Sequence, residues 1–180
     1  LFSITSRQDV DKANEYLIKA EVIAKEKESV YYKGTALYNR AAYFNYKGLY
    51  DSTYIYGERA YELLKHSPFK KAIALSLSNM ATGLGQQNAR KIEIYKVAEK
   101  LYDELKDTTG WLYIYNSISR NYTYMNKFDS ALNYSNKALE LSRIQGSDLN
   151  ISNTLLQICN IYFEQHKFDQ VIEAGFSAIS

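Results

Sequence analysis

Cysteine occurs once in the 180 residues, proline once, tryptophan once and histidine twice. The single Cys159 excludes an internal disulfide framework and any multi-thiolate metal site. His66 and His166 lie far apart in the chain, with no cysteine or carboxylate cluster beside either, so no metal and no cofactor are expected. A dominant charge is also missing. Lys+Arg number 22 against 20 Asp+Glu, a net charge of +2, too even for a nucleic-acid stripe, so no direct nucleic-acid contact is expected. No apolar run approaches the roughly 18 residues that a membrane helix needs, so no membrane contact is expected either. With proline nearly absent, helix interiors go unbroken, which points to long helices joined by short turns. What the chain does have is a 46% hydrophobic share, enough for a substantial core, and 18 tyrosines. The first residues, Leu1 to Arg7, lack the apolar run of a secretory signal and read as a fragment or a processed region. The compartment, periplasmic or cytoplasmic, is left open by the sequence.

The organisation is repetitive. Ala20, Ala60, Ala98, Ala138 and Ala178 are separated by 40, 38, 40 and 40 residues. Four positions earlier stand Tyr16, Tyr56, Ile94, Tyr134 and Ala174, and three positions after the first four stand Ile23, Leu63, Leu101 and Leu141. These spacings place the set on one helical face. Asp11, Asp51, Asp129 and Asp169 precede four of the alanines by nine positions and are expected to be N-caps, a role that Ala89 in the third copy cannot fill. A second helix type alternates with the first. Its markers are Leu37, Leu77, Tyr115 and Leu155, with Ala41, Ala81, Ser119 and Cys159 and with Phe44, Leu84, Tyr122 and Tyr162. Small residues flanked by large ones suit two closely packed helices. The interval of 38 locates a two-residue deletion near Gly85–Asn88. Turn formers keep the same beat, at Ser67–Pro68, Thr108–Gly110 and Gly146–Asp148 between repeats and at Gly48, Asn126 and His166 within them. Nine helices are expected, near 9–27, 31–46, 51–66, 69–86, 89–106, 110–125, 129–145, 149–165 and 169–180.

The stretch Asn126-Lys127-Phe128-Asp129-Ser130-Ala131-Leu132-Asn133-Tyr134 through Ala138-Leu139-Glu140-Leu141 resembles the second half of a tetratricopeptide repeat. Tyr115, Ile118, Ser119 and Tyr122 match its first half, and the pattern recurs from Lys47 to Ala60 and from His166 to Ala178. The resemblance covers essentially the whole chain, as one array. It comprises a half-repeat at 1–28, repeats at about 30–67, 68–108 and 109–147, and a truncated repeat at 148–180. The period of 40, where the common motif has 34, resembles the longer repeats of kinesin light chains and bacterial peptide-sensing regulators. It also resembles arrays that precede a membrane helix in bacterial sensor kinases and transcriptional regulators. The repeat of Ala81 and Ala98 departs from the motif, lacking both the aromatic and the Asp of its internal turn. The resemblance implies an all-α fold, a right-handed α-solenoid of antiparallel helix pairs.

In that family the first helix of each pair lines a concave face. Carried over, the face holds Tyr38, Asn39, Asn45 and Tyr46; Ser78, Asn79, Thr82 and Gln86; Tyr113, Asn116, Ser117, Arg120, Thr123 and Tyr124; and Asn153, Gln157 and Asn160. Amides offer both donor and acceptor to an extended backbone, and tyrosine adds flat area at low entropic cost. The implied function is protein or peptide binding, within the sensory or regulatory region of a larger bacterial signalling protein. The site residues are Tyr38, Asn39, Tyr46, Asn79, Thr82, Tyr113, Asn116, Arg120, Tyr124, Asn153, Gln157 and Asn160. The opposing reading is a spacer or self-association scaffold whose amides only keep the face solvated. With Arg120 its only cation, the face does not suit carboxylate-terminated tails.

Other candidates reduce to structure. Cys159 occupies a small-residue packing position, Lys25–Glu28 and Lys70–Lys71 read as solvated surface, and Gly83–Gly85 has neither the strand nor the lysine of a phosphate loop. Glu99, Asp103 and Glu104 are expected on an exposed helical face, so no catalytic residues and no enzyme are expected. Tyr16/Ile23 and Phe176/Ile179 would leave apolar repeat ends exposed, which suits either flanking repeats in the full protein or a homodimer joined end to end.

Overall fold

The computed structural model describes residues 7–179, with the side chains of residues 7–9, 11 and 179 outside that description. Among the described residues the chain is all helical, with nine helices and no strand. They are α1 (Arg7–Glu26), α2 (Val30–Tyr46), α3 (Tyr50–Leu64), α4 (Lys70–Gly83), α5 (Asn88–Leu105), α6 (Thr108–Tyr124), α7 (Phe128–Ile144), α8 (Asp148–Glu164) and α9 (Phe168–Ile179). The chain divides into two compact units, up to Gln86 and from Gln87 on. In the first, α1–α4 pack in sequence; in the second, α5–α9 do.

The helices end where the backbone enters the left-handed region. Besides Glu28 and Gly85, positive φ occurs at five helix-ending positions, Gly48, Lys106, Asn126, Gly146 and His166, the last four spaced 20 residues apart. At each, the amide after it reaches back five residues: Leu49 to Phe44, Asp107 to Tyr102, Lys127 to Tyr122, Ser147 to Ser142 and Lys167 to Tyr162, at 2.9–3.2 Å. These are Schellman caps, which satisfy carbonyls the helix leaves free. At Ser67–Pro68 no positive φ occurs, because proline fixes φ near −65°.

The acidic positions are not the expected caps. The N-cap residues of α3 and α7 are Leu49 and Lys127, so Asp51 and Asp129 fall inside the first turn. Asp169 likewise lies within the first turn of α9. There a carboxylate favours the positive end of the helix dipole without accepting a capping bond. Asp11 lies inside α1, its side chain outside the described residues. Capping bonds come instead from Asp107, which accepts from the Gly110 amide at 3.0 Å, and Ser147, which accepts from Asn150. The deletion also takes a definite form. Counted from the small packing residue, α2, α6 and α8 run five positions on, whereas α4 stops two after Ala81. Its last turn is missing, and the boundary between the two units falls three residues later.

The small residues seal the core. Ala41, Ala60, Ala81, Ala98, Ala138 and Ser119 are fully buried. Ser119 Oγ donates to the Ala131 carbonyl at 2.9 Å and lies 2.7 Å from Ser135 Oγ, locking α6 to α7. Cys159 repeats that link twelve residues apart, its Sγ lying 3.6 Å from the Val171 carbonyl. In the first unit the buried Arg40 reaches Glu21 at 2.8 Å and Asn14 at 2.6 Å, fastening α1 to α2. Glu21 is the main reason the Arg40 guanidinium holds its proton even more firmly than usual.

Candidate functional site

The expected row divides between the two units. In the first, α2 carries Tyr38, Asn39 and Tyr46, and α4 carries Asn79 and Thr82. Tyr46 is exposed, while the other four are half-buried. Asn79 Nδ2 donates to the Tyr38 carbonyl at 2.9 Å, stitching α4 to α2. Thr82 Oγ1 donates to its own helix, at the Ser78 carbonyl. Burial, and then proximity to Tyr31, raise the pKa of the Tyr38 phenol, against the pull of Thr35 and Lys71.

In the second unit, α6 presents Tyr113, Asn116, Arg120 and Tyr124, and α8 presents Asn153, Gln157 and Asn160. Tyr113 is 46% exposed and Tyr124 65%; Arg120, Asn153 and Asn160 are exposed too. By repeat register Tyr113 matches Asn153 and Arg120 matches Asn160. Gln157 matches Asn79 of the first unit, yet its Nε2 is buried without a partner. Arg120 stands near Lys91, a half-buried cation where two other repeats place the fully buried Thr53 and Ala131. Burial first, then Arg120, lower the Lys91 pKa. Ser78 and Thr123, expected on the same face, are buried and donate to the Ala74 and Ser119 carbonyls. Both are packing residues whose hydroxyls are satisfied within their own helices.

Three other expectations meet the structure. Cys159 is half-buried, and burial raises its thiol pKa, the opposite of what an activated nucleophile needs. His166 takes the left-handed turn position, and His66 is an exposed residue after α3. Glu99 departs from the solvated face expected of it. It is half-buried, and desolvation raises its pKa despite Lys137 nearby. No group of three or more His, Cys, Asp or Glu that could hold a metal occurs among the described residues. No helix there is long and apolar enough to cross a membrane.

Glu99 belongs to a feature the sequence reading missed. The Tyr134 ring packs 5.9 Å from those of Tyr115 and Tyr122, and Lys137 Nζ sits 4.9 Å above it. Burial, Glu99 and the neighbouring phenols push the Tyr134 pKa up to about 12. The same pairing of ring and cation recurs at Tyr56 with Arg59, 5.7 Å, and at Tyr16 with Lys19, 5.5 Å. In the third copy Ile94 and Val97 replace ring and cation together. The motif Tyr-x-x-Lys/Arg-Ala was written at the repeat interval, but only the three-dimensional arrangement shows that the two side chains meet. A second omission is the α8 stripe of Leu149 (71%), Leu156 (59%) and Phe163 (56%), each exposed and seven residues apart. Its i, i+7 spacing was legible in the sequence.

Comparison with protein-family profiles and with curated protein sequences finds no match. Among solved structures, the crystal structure of aspartyl phosphate phosphatase F from Bacillus subtilis superposes with a TM-score of 0.82 at 16% identity. The match covers 96% of this chain and 47% of the other, so this chain spans about half its length. The likeness establishes the fold, an all-α helical repeat of tetratricopeptide type and α-solenoid class.

Proposed function

We propose that the chain is a protein- or peptide-binding module of the long, 40-residue-period tetratricopeptide variety, the sensory or regulatory part of a larger bacterial signalling protein. It holds an extended segment along the amide and tyrosine row. The observation that carries this is the solvent-facing set on α6 and α8, with Tyr113, Arg120 and Tyr124 exposed on α6 and Asn153 and Asn160 on α8. Exposed rings supply contact area, and exposed amides pair with a peptide backbone whatever its sequence. In the first unit Tyr46 is exposed and Asn39 half-buried, while Asn79 and Thr82 already spend hydrogen bonds on the fold. The repeats are read as a single array and the module as a binder rather than a catalyst. The structural neighbour bears a phosphatase's name; the row carries no His, Cys, Asp or Glu.

Selection of a displayed random-peptide library on this chain tests the reading. Enriched peptides should bind at least about tenfold more weakly to an Asn116→Ala, Asn153→Ala, Asn160→Ala variant with an unchanged helical spectrum. Equal binding by both proteins removes the row as the site. A second reading, self-association through repeat ends, draws on the exposure of Tyr16 (62%), Ile23 (48%) and Phe176 (67%). Ile179 lies outside the described side chains. Sedimentation of the chain over a wide concentration range decides this reading: a monomer throughout rejects it.

A further inference from the structure

Between α8 and α9 lies a groove of about 220 Å³ lined by Ile158, Tyr162, Gln170, Glu173, Ala174 and Ser177. Its floor belongs to the core, since Tyr162 and Ala174 pack on the cluster of Leu139, Leu155 and Ile158. The repeat register says what elsewhere fills this space. Cys159 and Val171 are linked as Ser119 and Ala131 are, so α8–α9 pairs in the same register as α6–α7. Tyr162 then stands for Tyr122, Ala174 for Tyr134 and Ser177 for Lys137. In α6–α7 the Tyr134 ring lies 5.9 Å from Tyr122 with the Lys137 ammonium 4.9 Å over it. In α2–α3 the Tyr56 ring lies 5.2 Å from Phe44, with the Arg59 guanidinium 5.7 Å away. Two repeats thus close this groove with an aromatic ring and a cation from their own second helix. The α8–α9 pair keeps the receiving ring, Tyr162, and has lost both fillers.

The rim supplies a matching charge. Glu173 is exposed at the groove; its counterparts in the two repeats that carry the ring and cation, Asn133 and Ile55, are uncharged, while α5, which lacks both, has Glu93 there. Aromatic rings favour offset or edge contact with a second ring, and a carboxylate beside the slot favours a basic group carried with it.

We propose that the α8–α9 groove is a binding site for an aromatic side chain of a protein partner, a tyrosine accompanied by a lysine or arginine three residues away on a helix. The partner supplies what Ala174 and Ser177 omit: its ring packs on Tyr162 and Ile158, and its cation faces Glu173. The site is separate from the amide row and does not depend on it.

The test uses a short helical peptide carrying Tyr-x-x-Lys, with tyramine, p-cresol and butylamine as smaller probes, followed through the nuclear resonances of the Ile158 methyls and the Tyr162 ring. The peptide should shift both saturably, and replacing its Tyr or its Lys by Ala should weaken binding about tenfold. Glu173→Gln should level tyramine with p-cresol. The double change Ala174→Tyr, Ser177→Lys should rebuild the internal pair and abolish the shifts; Ala174→Leu fills the slot independently if that variant misfolds. Asn153→Ala with Asn160→Ala should leave peptide binding intact, which separates this site from the row. No saturable shift at Tyr162, or binding unchanged in both filled variants, overturns the proposal. Tyramine binding without peptide binding overturns the assignment to a protein partner.

Discussion

The same substitution at one repeat position should have opposite signs at Gly57 and Gly175. Each stands three residues before its repeat alanine, inside α3 and α9 respectively. In an open helix, Gly→Ala stabilises by about 1 kcal/mol, because glycine loses the most backbone entropy on folding. At Gly175 no heavy atom would come within 4 Å of an added Cβ, so a gain of about 0.5–1 kcal/mol is expected. At Gly57 the Cβ would stand 2.7 Å from Met80 N, 3.0 Å from Met80 Cα and 3.2 Å from the Asn79 carbonyl carbon. These are backbone atoms, so no side chain can rotate aside; α3 and α4 must separate. Overpacking costs about 1–3 kcal/mol, and a backbone obstacle places this case near the top of that range. After the propensity gain, a net loss of about 1–2 kcal/mol is expected. Separation would also strain the bond from Asn79 to the Tyr38 carbonyl. Thermal melts followed by far-ultraviolet circular dichroism read both variants, at about 2–4 °C per kcal/mol. A Gly57→Ala protein as stable as its parent would refute the close approach of α3 to α4, and a destabilised Gly175→Ala would refute the open face of α9.

Three further outcomes are expected. Lys106→Gly relieves a lysine held at φ 50° and should raise the melting temperature, by about 1 kcal/mol of strain removed; an unchanged melt argues against strain there. Ser119→Ala leaves Ser135 without its buried partner and the Ala131 carbonyl without its side-chain donor from α6, so denaturant titration should record a loss of about 1–3 kcal/mol. The Tyr134 phenol is raised from 10.0 to about 12, so the folded state retains a proton that the unfolded chain has released. Its contribution is therefore complete below pH 10 and is lost as pH climbs from 10 toward 12. Tyr134→Phe should flatten that part of the alkaline stability curve, and ultraviolet titration of the variant should lack the latest-ionising tyrosine.

Much of the fold was written in the chain at the repeat interval. The alanines, the small packing residues and the turn formers placed all nine helices within a few residues, because 3.6-residue periodicity and turn chemistry act locally. The positions of the amides on the first helices were legible for the same reason. Their state was not. Asn79 is spent on a neighbouring carbonyl and Thr82 on its own helix, whereas Asn153 and Asn160 face solvent, and nothing in the spacing separates the two cases. The aspartates misled because Asp suits both the cap and the first turn, and the choice depends on where the preceding Schellman turn releases the chain.

By itself, then, the sequence determined an all-helical repeat, its period and its deletion, since these follow from local propensity and recurrence. Tertiary structure alone decided which tyrosines meet a cation, which amides are used up, and that Ala174 and Ser177 leave a groove. Those outcomes depend on the distance between side chains on different helices, or on different turns of one helix, and that distance is set only when the helices pack.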